Sequence, residues 1–420
     1  MPASQCGGAP SGKDSPSVGA VLRRFLPAFA IRAPASPHVL KVLLRLSRCL
    51  TGLLGWALWQ CERCSAPHWR PLGCGDRHCP QCTTKAREDW LEKQRAALLP
   101  VRYFHWVFTL PAVLRPLALQ NPKAIYTLLF SAAAESLLQF GQQRLGARLG
   151  VTILLHTWGQ NLTEHPHVHC LVTGGGLVTQ PGQPPRWRGP KQSHYLFPVQ
   201  AVAALYRGKF LAGLEVLRSG GTLQFHGRLE SWRHPAVWER TLAALRATKW
   251  IVFAKGSVAG PQSVLEYLGR YTHRVAISNG RIVRMDDRSV TFRYKDYRDA
   301  GTLKEMTLDG VEFVRRLSLH VLPPGFTKIR HYGILGNNRR ATLVPLARQA
   351  LEHSSWRLDS APLTRTPAPK PEPHRCPRCG SDDIVCLGRL DPSGRFTAIR
   401  RGGLLLRLTA GEPPGIQDSS

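Results

Sequence analysis

Two closely spaced thiol pairs restrict what this chain can fold into more than any other feature. "CERC" sets Cys61 and Cys64 on one tight turn, and "HCPQC" sets Cys79 and Cys82 on another. In a reducing compartment clustered CxxC pairs indicate metal before disulfide. Each turn supplies two thiolates and two turns complete a tetrahedron, so the spacing predicts Zn²⁺ bound by Cys61, Cys64, Cys79 and Cys82. Cys74, His68 and His78 lie in or beside the intervening loop, and Cys74 or His78 are the substitutes if one of the four is not a ligand. Buried free thiols are the competing reading. Four thiolates leave no open coordination position, so this zinc is expected to be structural. Arg63, Arg70, Arg77, Lys85 and Arg87 surround the pairs, as a DNA-docking rim or as a solvated basic surface. Near the C-terminus, "CPRCG" with Cys386 gives three thiols, an incomplete site unless His374 joins.

The chain has 420 residues, enough for two or three domains with real cores. A hydrophobic fraction of 43% fits a globular protein rather than a disordered one. Lys and Arg number 57 against 27 Asp and Glu, a net charge of +30, which makes a polyanion the first partner to consider. Nucleic acid is that polyanion before an anionic membrane surface. The most apolar stretch, residues 39–59, carries Lys41, Arg45 and Arg48 on one side of an amphipathic helix, and the uncharged remainder is too short to span a bilayer. The N-terminus has no apolar signal core, so a cytoplasmic protein is expected.

Residues 1–20 read as a flexible tail and 21–100 as a helical, zinc-binding unit with a helix over 84–99. Residues 101–355 read as the main domain, 356–375 as a Pro-rich linker and 376–420 as a tail. Within the main domain, "VRYFHWVFTLP", "VTILLHTW", "HVHCLVTGGG", "KWIVFAKGS" and "SVTFRYKDY" read as strands. Helices are expected over 121–149, 198–218, "GPQSVLEYLGRYTHR" and "DGVEFVRRLSLHVLPPG", and "VAISNGRIV" reads as a hairpin turning at Asn279–Gly280. Strands and helices mix without regular βα alternation, which predicts an α+β fold with an antiparallel sheet.

In "TEHPHVHC" strand alternation places His167 and His169 on one face, with Val168 on the other. Two imidazoles on one face reach a single metal, with a third ligand from His165, Glu164 or His156; a polar strand face is the plainer reading. Such a site leaves open positions for a phosphate oxygen and suits phosphodiester chemistry. Tyr267 and Tyr271, spaced i and i+4, share one helix face, which is more often packing than chemistry. A phenol needs help to act as a nucleophile at neutral pH. Arg270, His273 and Arg274 beside the tyrosines are candidate phosphate contacts, as are Arg339 and Arg340 in the glycine-containing loop "HYGILGNNRR".

The combination resembles the HUH endonucleases, and within them the two-tyrosine rolling-circle transposases of bacterial insertion sequences. It is carried by "CERC…HCPQC", "FTLP", "HTWGQNLTEHPHVHCLVTGGG", "YLGRYTHRVAISNGRI" and "HYGILGNNRR", in the family's order over roughly residues 40–345. The resemblance implies an HUH nuclease sheet of the ferredoxin/RRM-like kind with flanking helices and a small N-terminal zinc-binding domain. It implies Mg²⁺ or Mn²⁺ at His167 and His169, attack by Tyr267 or Tyr271 on single-stranded DNA, and a 5′-phosphotyrosine intermediate. A bacterial protein associated with the nucleoid follows from it. Competing readings are a rolling-circle replication initiator, a conjugative relaxase, or a non-catalytic zinc DNA-binding protein.

Overall fold

The computed structural model describes residues 16–95, 97–192, 194–258, 264, 275–352, 354–358 and 375–399. Its helices are α1 (Val18–Arg32), α2 (Pro37–Ser47), α3 (Thr83–Arg95), α4 (Arg115–Gln120), α5 (Pro122–Phe140), α6 (Val199–Ser219), α7 (Pro235–Ala247), α8 (Gly310–Ser318) and α9 (Arg340–Glu352). Its strands are β1 (Trp56–Cys61), β2 (Pro67–Pro71), β3 (Tyr103–Thr109), β4 (Arg148–Trp158), β5 (Glu164–Val178), β6 (Arg186–Arg188) and β7 (Val252–Val258). The later strands are β8 (Ile282–Met285), β9 (Ser289–Asp296), β10 (Thr302–Asp309), β11 (Ile329–Gly333), β12 (Ile384–Leu390) and β13 (Phe396–Ala398).

The main sheet has the order β11-β4-β5-β3-β7, with β6 added beside β5, and every pairing is antiparallel. The fold is α+β, as the irregular alternation predicts. Strand periodicity decides which side chains meet the helices. Val168, Cys170 and Val172 of β5 and Trp106 and Phe108 of β3 are buried in one cluster with Leu129, Phe130 and Leu137 of α5 and Tyr206 and Phe210 of α6. His167, His169 and Leu171 therefore point to the other face. The three glycines of β5 do not end the strand. They let it run close between its neighbours, since a Cβ on Gly176 would lie 2.5 Å from the Arg148 carbonyl oxygen and one on Gly174 2.8 Å from that of Arg102.

The N-terminal helices are set by their caps. Ser36 accepts from the Val39 amide and Pro37 opens α2, where its missing N–H is harmless. The amphipathic segment is shorter than read from the sequence: α2 stops at Ser47, Leu50 takes φ 58°, and the chain re-enters as β1. Helices α1, α2 and α8 pack on the sheet β10-β9-β8 through Leu22, Phe25, Leu43, Phe292 and Phe313.

Four further expectations are corrected. The hairpin expected at Asn279–Gly280 is a short 3-10 turn, and the hairpin lies one strand later, between β8 and β9. The helix expected over 121–149 ends at Phe140, where a π turn leads to Gly146 at φ 56° and into β4. "HYGILG" begins as strand β11 rather than a loop. Residues 376–399, read as part of a tail, are not an appendage: β12 pairs with β1 and β13 extends the sheet, giving the order β13-β12-β1-β2. Among the described residues no helix is long and apolar enough to cross a membrane.

Candidate functional site

Three imidazoles converge on the face of the main sheet away from α5 and α6. Register places them: His156 of β4 lies opposite His167 of β5, and His169 is two residues further along the same face. Ring centroids are 5.4 Å apart for His156 and His167, 4.6 Å for His156 and His169, and 4.9 Å for His167 and His169. Each offers a nitrogen within 4.8 Å of the others'. His156 completes the triad, and neither His165 nor Glu164 belongs to it. The His165 ring receives Arg115 at Nδ1, 3.3 Å away, and burial with the Arg115 charge lowers its pKa. Glu164 pairs with Trp158 across the strands.

Hydrogen bonds set the orientation of the triad. His167 Nδ1–H donates to the His165 carbonyl over 2.6 Å, which turns the Nε2 lone pair toward the cluster. His169 Nδ1 meets Nε2 of His105 on β3 at 2.9 Å, with the rings stacked 10° from parallel. Burial, with the nearby Lys255 ammonium, lowers the His105 pKa to about 4, so His105 is neutral at pH 7. With His169 donating and His105 accepting, His169 is the Nδ1–H tautomer, whose Nε2 carries the lone pair. The His156 ring stacks on Trp158 at 4.8 Å, and Lys328 Nζ lies 5.0 Å from the centre of the Trp158 ring. Burial, with Arg77 nearby, depresses Lys328 to about 7.

Among the described residues the donor set is three nitrogens without a carboxylate. It fits a divalent transition ion and leaves room for oxygen ligands, whereas Mg²⁺ prefers oxygen throughout.

The cysteines divide in a way their spacing did not predict. Cys79 and Cys82 group with Cys49 and Cys74, while Cys61 and Cys64 group with Cys376 and Cys379. The reason is the β1–β2 hairpin. Its register runs from Gln60–Pro67 beside the "CERC" turn to Trp56–Pro71 at the opposite end. The chain leaves β2 from that opposite end, so the two CxxC turns are separated by the hairpin's length, roughly 15 Å. In the first group sulfur separations are 3.5 Å (Cys49–Cys82), 3.7 Å (Cys74–Cys82) and 3.6 Å (Cys49–Cys79). Hydrogen bonds from Cys74 and then Cys79 lower the Cys82 pKa to about 2, favouring thiolate. Cys74, held as a substitute, is a member. His78 is not: its Nδ1 bonds Asp76 at 2.7 Å and its Nε2 accepts from the Leu322 amide at 3.1 Å. Cys386 belongs to neither group, and His374 lies outside the described residues.

Residues 21–110 match the family described as "Transposase zinc-binding domain", and residues 150–342 the family described as "Putative transposase". The chain is 41% identical over 393 residues to "Putative transposase y4qJ" of Sinorhizobium fredii, covering 90% of this chain and 96% of that one. The chain belongs to the IS91-type transposases. It is also 28% identical over 347 residues to "Transposase for insertion sequence element IS801" of Pseudomonas savastanoi pv. phaseolicola, covering 80% of each chain. No solved structure matches it.

The zinc-binding match of the transposase contains Cys49, Cys74, Cys79 and Cys82, a donor set that fits Zn²⁺. Tyr267, Arg270, Tyr271, His273 and Arg274 lie outside the described residues. The chain on either side of them is described. Val264 is fully buried in the cluster that holds Leu154 and Leu171, the neighbours of His169 on its face of the sheet. Val275 lines a cavity with Trp158, His320 and Lys328. Arg339 and Arg340 are exposed, where β11 leads into α9. In the basic rim, Arg77 is not a loose surface charge: it donates to the carbonyls of Pro323 (3.1 Å) and Phe326.

Sequence reasoning missed His105 and Lys328. His105 stands at an alternate position in "FHWVF", and its register to β5 was the missing information. Lys328 carries no local signal, because its burial comes from distant segments.

Proposed function

We propose that this transposase nicks and rejoins single-stranded DNA through a tyrosine, in rolling-circle-type transposition. The observation that carries the reading is the convergence of His156, His167 and His169 on one sheet face in a chain of the transposase family. Those residues would hold a divalent ion, Mn²⁺ in preference to Mg²⁺ given the nitrogen donors, and such an ion supplies charge stabilisation at a phosphate oxygen. Tyr267 or Tyr271 attacks phosphorus. The phenolic oxygen bonds to phosphorus as the P–O3′ bond breaks; the 3′ oxygen takes a proton and the 5′ end stays on the tyrosine. Reversal of the same exchange by a new 3′-OH rejoins the strand without another energy source. Two tyrosines allow one to hold an end while the other cleaves.

Reach supports the assignment. Tyr267 is three residues from Val264, a span of about 10 Å at most. The described residues flanking both tyrosines are Val264, beside the histidine face, and Val275, which lines a cavity with Trp158, the residue that stacks on His156.

The same face also supports a single-stranded partner. Val107 pairs with His169 on one side and with Phe253 of edge strand β7 on the other, so Phe253 shares the histidine face and is 55% exposed. Lys255, opposite His105, is exposed beside it. An exposed aromatic for a base and a cation for a phosphate are what unpaired DNA requires. Arg270, His273, Arg274, Arg339 and Arg340 extend the basic surface in this reading, within a cytoplasmic, nucleoid-associated protein.

The test uses purified protein, Mn²⁺ and oligonucleotides carrying an element end. A covalent protein–DNA adduct is expected on single-stranded but not on duplex DNA, and it should disappear in the Tyr267→Phe/Tyr271→Phe double variant. An undiminished adduct in that variant rejects the nucleophiles, and normal cleavage by His167→Ala rejects the metal role.

A further inference from the structure

Six cysteines fall inside the zinc-binding match, and four of them close the first group. Cys61 and Cys64 remain, and a CxxC pair alone leaves half a tetrahedron. The partners come from the other end of the chain. Cys61 Sγ lies 3.5 Å from Cys379 Sγ, Cys64 Sγ lies 3.6 Å from Cys376 Sγ, and all four sulfurs are within 4.8 Å of one another. A disulfide requires about 2.05 Å. Tetrahedral thiolates at about 2.3 Å from zinc stand about 3.8 Å apart, which is the spacing present.

The two CxxC turns are also built alike. The residue after each second cysteine is left-handed, Ser65 at φ 58° and Gly380 at φ 73°. Its amide donates to the carbonyl of the first cysteine over 2.9 Å in both turns, Ser65 to Cys61 and Gly380 to Cys376. Each turn so presents two sulfurs on one side, and the two turns face each other. The backbone around them is locked. Cys61 pairs with Ile384, the Glu62 amide donates to the Asp383 carbonyl over 2.8 Å, and Arg70 donates to the Arg375 carbonyl over 3.0 Å.

We propose that Cys61, Cys64, Cys376 and Cys379 bind a second, structural Zn²⁺ that ties the C-terminal strands into the N-terminal zinc module. The ligand pairs are separated by 312 residues along the chain, from Cys64 to Cys376. The metal therefore closes the whole nuclease region into one loop, and β12 and β13 become half of the module's sheet. Binding is not a redox step: the thiol protons pass to solvent as four Zn–S bonds form.

The test is cysteine-bound zinc in the full-length protein, purified under reducing conditions and measured as the metal released by a thiol-specific mercurial, so that zinc held by the histidine face is not counted. Two equivalents are expected for the natural chain and one for Cys376→Ser/Cys379→Ser. Cys379→His keeps four ligands and is expected to keep two equivalents. Limited proteolysis should release the C-terminal segment from the double serine variant but not from Cys379→His. A single equivalent in the natural chain, or two in the double serine variant, overturns the proposal. A Cys61–Cys379 or Cys64–Cys376 disulfide in protein isolated with thiols trapped also overturns it.

Discussion

Val168 sits between two histidines and points into the core, and its burial is what holds His167 and His169 on the opposite face. The imidazoles are then oriented by their second nitrogens, His167 by the His165 carbonyl and His169 by His105. Partners of this kind typically contribute 10- to 100-fold in metal affinity. His105→Phe keeps the ring and removes the nitrogen, so Mn²⁺ affinity should fall by about 10- to 100-fold while the fold is retained, as titration calorimetry on the full chain would read. Unchanged affinity would remove His105 from the site. His156→Ala should lower Mn²⁺ binding at least as far, whereas His165→Ala should change it little, since the contribution of His165 is its backbone carbonyl. The His-x-His pair was legible in the sequence because alternation along one strand is local. His156 was one of three candidates for the third nitrogen; the choice among them, and the orienting ring, were not legible, because both depend on the register between strands.

At the scale of elements, β11 and β7 close the two edges of the sheet that presents the histidines. Gly333 ends β11 at φ 64°, and a Cβ there would lie 1.9 Å from the Leu149 carbonyl oxygen. Gly325 has φ 68° with nothing within 4 Å of its Cβ position. The pair separates strain from collision. Gly325→Ala should lose about 1 kcal/mol from the left-handed backbone, and Gly333→Ala several-fold more, read as a shift of the denaturation midpoint. Equal losses would show that β11 can move away from β4. On the other edge, Phe253→Ala should weaken single-stranded DNA binding by about 5- to 100-fold, the equivalent of stacking one base. Fluorescence anisotropy at fixed salt would measure it, and an unchanged affinity would take the strand path off β7. Elements with strong local periodicity, β3, β4, β5, α6 and α8, were readable from sequence. The division of the cysteines was not. It follows from a hairpin pointing its two ends apart and from β12 returning across more than 300 residues, and neither leaves a local pattern.

Across the whole molecule, the zinc module and the histidine sheet are joined by the short stretch 320–328. The Leu322 amide donates to His78, the Leu322 carbonyl accepts from His38 over 3.0 Å, and Arg77 holds the carbonyls of Pro323 and Phe326. His320 begins this stretch, wholly buried, with Nε2–H donating to the Leu162 carbonyl over 3.1 Å and Nδ1 facing the Thr157 hydroxyl at 3.2 Å. Burial lowers its pKa to about 4, against roughly 6.5 in an unfolded chain. Between those values the unfolded chain binds a proton that the folded chain refuses, so stability falls as pH drops through this window. It is level with respect to this group above about 6.5 and below about 4. The loss approaches roughly 3 kcal/mol over the window. His320→Gln retains a donor for the Leu162 carbonyl and does not titrate. Between pH 7 and pH 4.5 its unfolding midpoint should therefore fall less than that of the natural chain. Acid also protonates the zinc thiolates, but it does so in both proteins, and the difference between their pH profiles isolates the histidine. Parallel profiles would mean that the contact between module and sheet opens before His320 takes up its proton.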